Sequence, residues 1–119
     1  MKVYNFTPHP IVIKIPGGDD VVIEPSGYTA RLEEKLAPAG TIWLEGHVVD
    51  LYKRELGEVK IIPTELKLEP GDVVIVSSLV AYTLKEQRPE LIVLVPGEPV
   101  RDEKGAIIGV KNLFVIEGS

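Results

Sequence analysis

The stretch that decides the fold is Val73-Val74-Ile75-Val76-Ser77-Ser78-Leu79-Val80-Ala81-Tyr82-Thr83-Leu84-Lys85-Glu86-Gln87-Arg88-Pro89-Glu90-Leu91-Ile92-Val93-Leu94-Val95. It opens and closes with continuous apolar runs, Val73–Val76 and Leu91–Val95. Strands without polar alternation are those buried on both faces. Between the runs, Leu79, Val80, Thr83, Leu84 and Gln87 recur at a spacing that gathers them on one side of a helix. Ser77 or Ser78 suits the helix N-cap. Arg88-Pro89 ends the helix, because the residue before a proline avoids the α region. The crossover from Ser77 to Glu90 spans 14 residues, enough to join two parallel strands. The expectation is a strand–helix–strand unit with its helix over about residues 79–87.

Towards the N-terminus, Val3–Thr7 is rich in β-formers. In Ile11–Ile15 the odd positions share one face and Val12 and Lys14 the other, the period of a half-buried strand. Pro16-Gly17 suits the centre of a type II turn, and Val21–Glu24 returns as a hairpin partner. Tyr28–Leu36 is strand or short helix, with alternation favouring strand. Ala37-Pro38-Ala39-Gly40 reads as a break, and Thr41–Leu44 as another strand. His47–Leu56 fits either a helix face or an extended pattern; two strands joined near Leu56-Gly57, the second being Glu58–Ile62, are preferred. Glu69-Pro70-Gly71-Asp72 is a turn. In the tail, Asp102-Glu103-Lys104-Gly105 has the residues of a type I turn closed by a left-handed glycine, and Val110–Ile116 reads as the last long strand. The fold class expected is α+β in a single domain spanning residues 1–119. It is a β-rich, mixed, mainly antiparallel sheet or partly closed barrel with one main helix.

Composition narrows the function classes. The chain has 119 residues, 45% hydrophobic and 26% charged, with no cysteine. Disulfides, thiolate metal sites and cysteine nucleophiles are therefore excluded. Net charge is −5, and no basic cluster exceeds Lys53-Arg54. Duplex nucleic acid is not an expected partner, since binding it needs a basic footprint. No apolar run approaches the roughly 20 residues of a membrane span. The N-terminus lacks the features of a signal peptide, so a cytoplasmic location is expected. Asn, Gln and Met are scarce while Ile, Val, Glu and Lys are abundant, the bias of a thermophilic source.

Asn5-Phe6-Thr7-Pro8-His9, Ile23-Glu24-Pro25-Ser26-Gly27, Ala30-Arg31 and Val74–Ala81 form one set of motifs. Val95-Pro96-Gly97-Glu98-Pro99-Val100-Arg101-Asp102, Gly105 and Gly109 complete it. In these the chain resembles a family of small bacterial and phage proteins of unassigned activity. That family opens with Asn-Leu-Thr-Pro-His and closes with Val-Pro-Gly-x-Pro-Val-Arg-Asp. Phe6 stands where the family usually has Leu, and the segment around His47 is longer than the family pattern. The resemblance implies a complete chain from a mobile-element context, and no activity. Gly46-His47, Leu51, Leu56-Gly57 and Gly71-Asp72 carry a second resemblance, to viral ring nucleases that cleave cyclic oligoadenylate. That resemblance implies an active-site role for His47.

Four side chains are ligand-binding candidates. His9, fixed between Pro8 and Pro10, is either an acid–base or anion contact, or a ring that donates to a carbonyl and pins a turn. Ser77 and Ser78, at the junction of strand and helix, would either hold a phosphate or carboxylate at the helix end or simply cap it. Arg101 would grip an anion in two-pronged fashion or join a cross-strand ion pair. Trp43 and Tyr52 are expected in the core or an interface. The two histidines are too few for a metal site, so no metal and no cofactor is expected. Three functional readings follow. The first is a non-enzymatic binding or regulatory module acting through self-association or a protein partner. The second is a small-anion or nucleotide-like ligand site at Ser77, Ser78 and Arg101. The third is the His47 phosphodiesterase.

Overall fold

In the computed structural model, which describes residues 1–118, the apolar runs lie side by side as expected. The chain order is β1 (Val3–Asn5), β2 (Ile11–Ile13), β3 (Val21–Ile23), β4 (Thr29–Leu44), β5 (His47–Ile62), β6 (Val73–Ile75), α1 (Ser78–Gln87), β7 (Ile92–Pro96), β8 (Pro99–Arg101), β9 (Ile107–Val110) and β10 (Leu113–Ile116). β6 and β7 pair in parallel, Val73 opposite Ile92 and Ile75 opposite Leu94, with α1 as the crossover. β1 adds in parallel to β6 and β10 antiparallel to β7, giving the order β1-β6-β7-β10.

A second four-stranded sheet has the order β3-β2-β9-β8, and β4 and β5 form a two-stranded ribbon. The architecture is β-rich α+β with mixed sheets, and it does not close into a barrel. The hairpin expected from Ile11 to Glu24 is present, Ile11 opposite Ile23. The tail turn is present too. The Gly105 amide donates to the Asp102 carbonyl at 3.0 Å, and Gly105 has φ +85°.

Three local expectations are corrected. Ala37–Gly40 does not break the chain. It sits inside β4, where a register shift between Pro38 and Thr41 places Ala39 and Gly40 opposite Leu51 alone. A bulge of this kind absorbs the extra residue and bends the ribbon without ending it; Gly40 supplies φ +96°. His47–Ile62 is one strand, not two joined near Leu56-Gly57. Gly57 instead lies in a second bulge opposite Glu33. Val110–Ile116 is two strands, interrupted at Lys111-Asn112 because the Asn112 side chain and carbonyl accept the Glu98 and Gly97 amides at 2.9 Å each.

The core lies between the first sheet, α1 and the base of the ribbon. Val74, Val76, Val93 and Leu91 from the sheet meet Val80, Ala81 and Leu84 from the helix and Val59 from β5. Full burial of such side chains contributes roughly 1.5–3 kcal/mol each. Beyond Leu32 and Val59 the ribbon leaves this core. Sixteen-residue strands reach about 53 Å at roughly 3.3 Å per residue, and the longest molecular extent is 58 Å. The radius of gyration is 18.2 Å, against about 13–14 Å for a compact chain of this size. The ribbon is an arm.

Candidate interaction surface and clefts

The arm turns through Glu45-Gly46, with φ +46° and +80°. Two consecutive left-handed residues make a type I′ turn, whose twist matches that of the flanking strands. Residues 36–52 carry only two charged side chains, Glu45 and Asp50. Cross-strand partners and alternate residues share a face. The register therefore puts Leu36, Trp43, Val48, Tyr52 and Leu56 on one face, and Ile42, Leu44, Val49 and Leu51 on the other. The first face continues the side of β4 that, through Ala30 and Leu32, packs on the core. Trp43 is 71% exposed, Leu36 66% and Tyr52 59%. Neither aromatic is in the core.

Two ion pairs link the strands towards the arm's base. Glu33 sits beside Lys60 at 2.9 Å and holds that ammonium above its ordinary range, first through their hydrogen bond and then through charge attraction. Arg54 reaches Glu34 at 3.5 Å.

Behind the arm the N-terminal motif is a hydrogen-bond hub. Asn5, 1% exposed, donates its amide to the carbonyls of His9 at 2.9 Å and Ile23 at 3.0 Å. Its side-chain oxygen accepts the Thr7 amide at 2.9 Å and the Thr7 hydroxyl at 2.6 Å. The Ser26 hydroxyl donates to the Asn5 carbonyl at 2.8 Å. The turn around His9 is thus pinned through the His9 carbonyl, not through its ring. The exposed His9 lines a cleft of about 540 Å³ with Thr7, Pro10, Ser77, Pro96 and Ile107–Val110. Thr7 and Ser77 also line a second cleft of about 370 Å³, with Phe6, Thr29–Leu32 and Leu79.

Of the candidates, then, His9 and Ser77 share a cleft. Ser77 is the N-cap residue but makes no side-chain capping bond; Ser78 is the exposed first residue of α1. Arg101 lines neither cleft. It donates to the Gly105 carbonyl at 2.8 Å across its own turn rather than entering a cross-strand ion pair. His47 lies at the arm's far end, opposite Leu44. Among the described residues no group of three or more His, Asp or Glu side chains is placed to hold a metal, and no helix is long and apolar enough to cross a membrane.

The feature that sequence reading missed is the arm. Its signal was Glu45-Gly46 between the β-forming runs Thr41–Leu44 and His47–Val49. No family model, curated protein or solved structure matches the chain.

Proposed function

We propose that the protein is a non-enzymatic binding module that works through its β-arm. One observation carries this reading: the distal arm exposes Leu36, Trp43, Val48, Tyr52 and Leu56 on a single face. A lone two-stranded ribbon is marginal in water, and exposed apolar patches of this size mark interaction sites. Depleted charge with Trp and Tyr present is the composition of an interface centre. A partner would bury the face and stabilise the ribbon together.

The test is to shorten the arm by replacing residues 37–53 with Asn-Gly, so that Leu36 and Arg54, already cross-strand partners, flank a type I′ turn. The body should stay folded, by circular dichroism and melting. Complex formation, with itself or with proteins of a crude extract, should vanish on gel filtration. Complexes that persist unchanged without the arm would remove the reading.

A second reading rests on the cleft that His9 and Ser77 share with Thr7. An imidazole and two hydroxyl-bearing side chains among the lining of an otherwise apolar cleft suit a small ligand with an anionic head. Arg101 takes no part in it. Calorimetric titration with inorganic phosphate and with adenosine monophosphate tests this. Heat that disappears in His9→Ala supports it; no heat with either ligand at millimolar concentration ends it. The His47 phosphodiesterase reading is tested by incubation with cyclic tetra-adenylate, where absence of cleavage ends it.

A further inference from the structure

Building on the arm reading, we propose that the arm's occupant is a second copy of this chain. Two arms stack face to face and antiparallel about a two-fold axis through Tyr52.

The pattern that carries this is on β5. β5 carries an extra residue only at Gly57-Glu58, the other bulge being on β4, so Val48, Asp50, Tyr52, Arg54 and Leu56 share one face. Read from Tyr52 outwards, the order is acid then apolar in one direction and base then apolar in the other. A two-fold axis through Tyr52 lays β5 over its symmetry mate in reverse. Asp50 then meets Arg54 of the second copy, and Arg54 its Asp50. Val48 meets Leu56, and Tyr52 meets Tyr52. Such an isologous interface requires a self-complementary surface, and this row is one. The side chain of Arg54 is 66% exposed despite its contact with Glu34, so it is available to Asp50 across the axis.

The area is also sufficient. Scaled from their fractional exposures, Leu36, Trp43, Val48, Tyr52 and Leu56 on the stacked face present on the order of 700 Å², and the exposed Asp50 and Arg54 of the same face bring it to the roughly 800 Å² per partner of a standard interface. A lipid surface is the other apolar environment to weigh. The only charges near the arm's tip are Glu45 and Asp50, both acidic, which anionic headgroups repel. Nothing in a bilayer would answer the alternating row on β5.

The experiment uses the full-length chain, with sedimentation equilibrium as readout and circular dichroism to confirm folding. Wild type should be a dimer at micromolar concentration. Trp43→Glu should raise the dissociation constant at least about thirty-fold, because this register lays Trp43, beside Val48, over Glu34 of the second copy, and the substitution sets like charges together. Asp50→Arg and Arg54→Asp should each weaken the dimer about tenfold or more by setting like charges together. The double variant should recover most of that loss, because the swapped charges attract again; Glu34 is common to all four proteins.

The chain has no cysteine, so Tyr52→Cys tests the axis directly. A short bismaleimide should link two copies through Cys at that position, and not through Lys53→Cys on the opposite face. Four results overturn the proposal: a monomer at all concentrations, a dimer indifferent to Trp43→Glu, failure of the charge swap to rescue, or linkage through position 53 instead of 52. Monomers that bind neutral or anionic vesicles would reassign the arm to lipid. A monomer removes the second copy as occupant, whereas the broader arm reading falls only if shortening the arm leaves all complexes in the extract intact.

Discussion

Gln87 grips the backbone of Val59 with both ends of its carboxamide: its oxygen accepts the Val59 amide and its nitrogen donates to the Val59 carbonyl, each at 2.9 Å. The last residue of α1 thus behaves as a short strand edge and fastens the arm to the helix where β5 enters the core. Val59 is 3% exposed, so both of its backbone groups lack water as an alternative. Everything distal to Val59 gains its orientation from this clamp and from Leu32 beside it.

Gln87→Ala should therefore cost about 1–3 kcal/mol, the range for stranding buried backbone groups. Hydrogen exchange should speed up first at the Val59 amide and then along β4 and β5. Gln87→Glu should also destabilise, since a carboxylate retains the acceptor but faces the Val59 carbonyl without a donor. Equal exchange at Val59 in wild type and Gln87→Ala would show that the clamp holds nothing.

Asn5 supplies the corresponding restraint for the N-terminal turn, with four side-chain hydrogen bonds inside the core boundary. Asn5→Ala should cost at least about 2 kcal/mol by leaving several buried groups unpaired. Asn5→Asp should be almost as damaging, because it loses the donor aimed at the His9 and Ile23 carbonyls. Urea denaturation measures both. A loss below about 0.5 kcal/mol, the scale of an ordinary surface change, would mean that water replaces these bonds.

Asn5 also shows where sequence reading succeeds and stops. The central strand–helix–strand unit was legible because its signals are local and redundant: two apolar runs, one helical face and one proline. The hub was visible as a motif that holds its partners Thr7 and His9, but Ile23 and Ser26 lie on another segment, and no local rule ties a lone Asn to them. The arm was misread for a related reason. Pro38 and Gly40 normally punctuate a chain, yet here a bulge accommodates them because β5 continues opposite. His9 and Ser77 were both flagged, but only the tertiary fold brings these distant positions to the lining of one cleft. Arg101 was flagged for its chemistry, and its short reach to the Gly105 carbonyl was hidden in the geometry of the turn.

Asp72 gives a prediction about pH. Its carboxylate accepts the Glu69 amide and the Lys2 amide, each at 3.0 Å, tying the chain start to the turn before β6. These bonds, the Glu69 one first, hold its pKa below the ordinary value of 3.8. A group whose folded pKa is depressed stabilises the fold above its unfolded value, and that stability is lost as pH falls through the folded one. Melting temperature should therefore be insensitive to this group from neutrality down to about pH 4 and fall below it. Asp72→Asn should be less stable at pH 7 and show a shallower acid decline. Parallel acid profiles for the two proteins would exclude Asp72 as a contributor.

The arm's turn offers the opposite kind of change, a gain. Glu45 is the one described non-glycine residue with positive φ, at +46°, a region that costs a residue with a Cβ roughly 1 kcal/mol or more. Asn tolerates it, and Asn-Gly is the favoured pair for a type I′ turn. Glu45→Asn should slow hydrogen exchange at the Leu44 and His47 amides and stabilise the arm by about 0.5–1 kcal/mol. Gly46→Ala, at φ +80°, should do the reverse. Glu45 lies outside the β5 row centred on Tyr52, so the substitution alters the arm's order without altering that row. A ribbon already ordered in the free chain loses less entropy on association. The dissociation constant of the dimer should therefore fall in Glu45→Asn and rise in Gly46→Ala. If exchange at the tip slows while self-association stays unchanged, arm order and dimer formation are uncoupled, and the tip lies outside the surface that joins two copies.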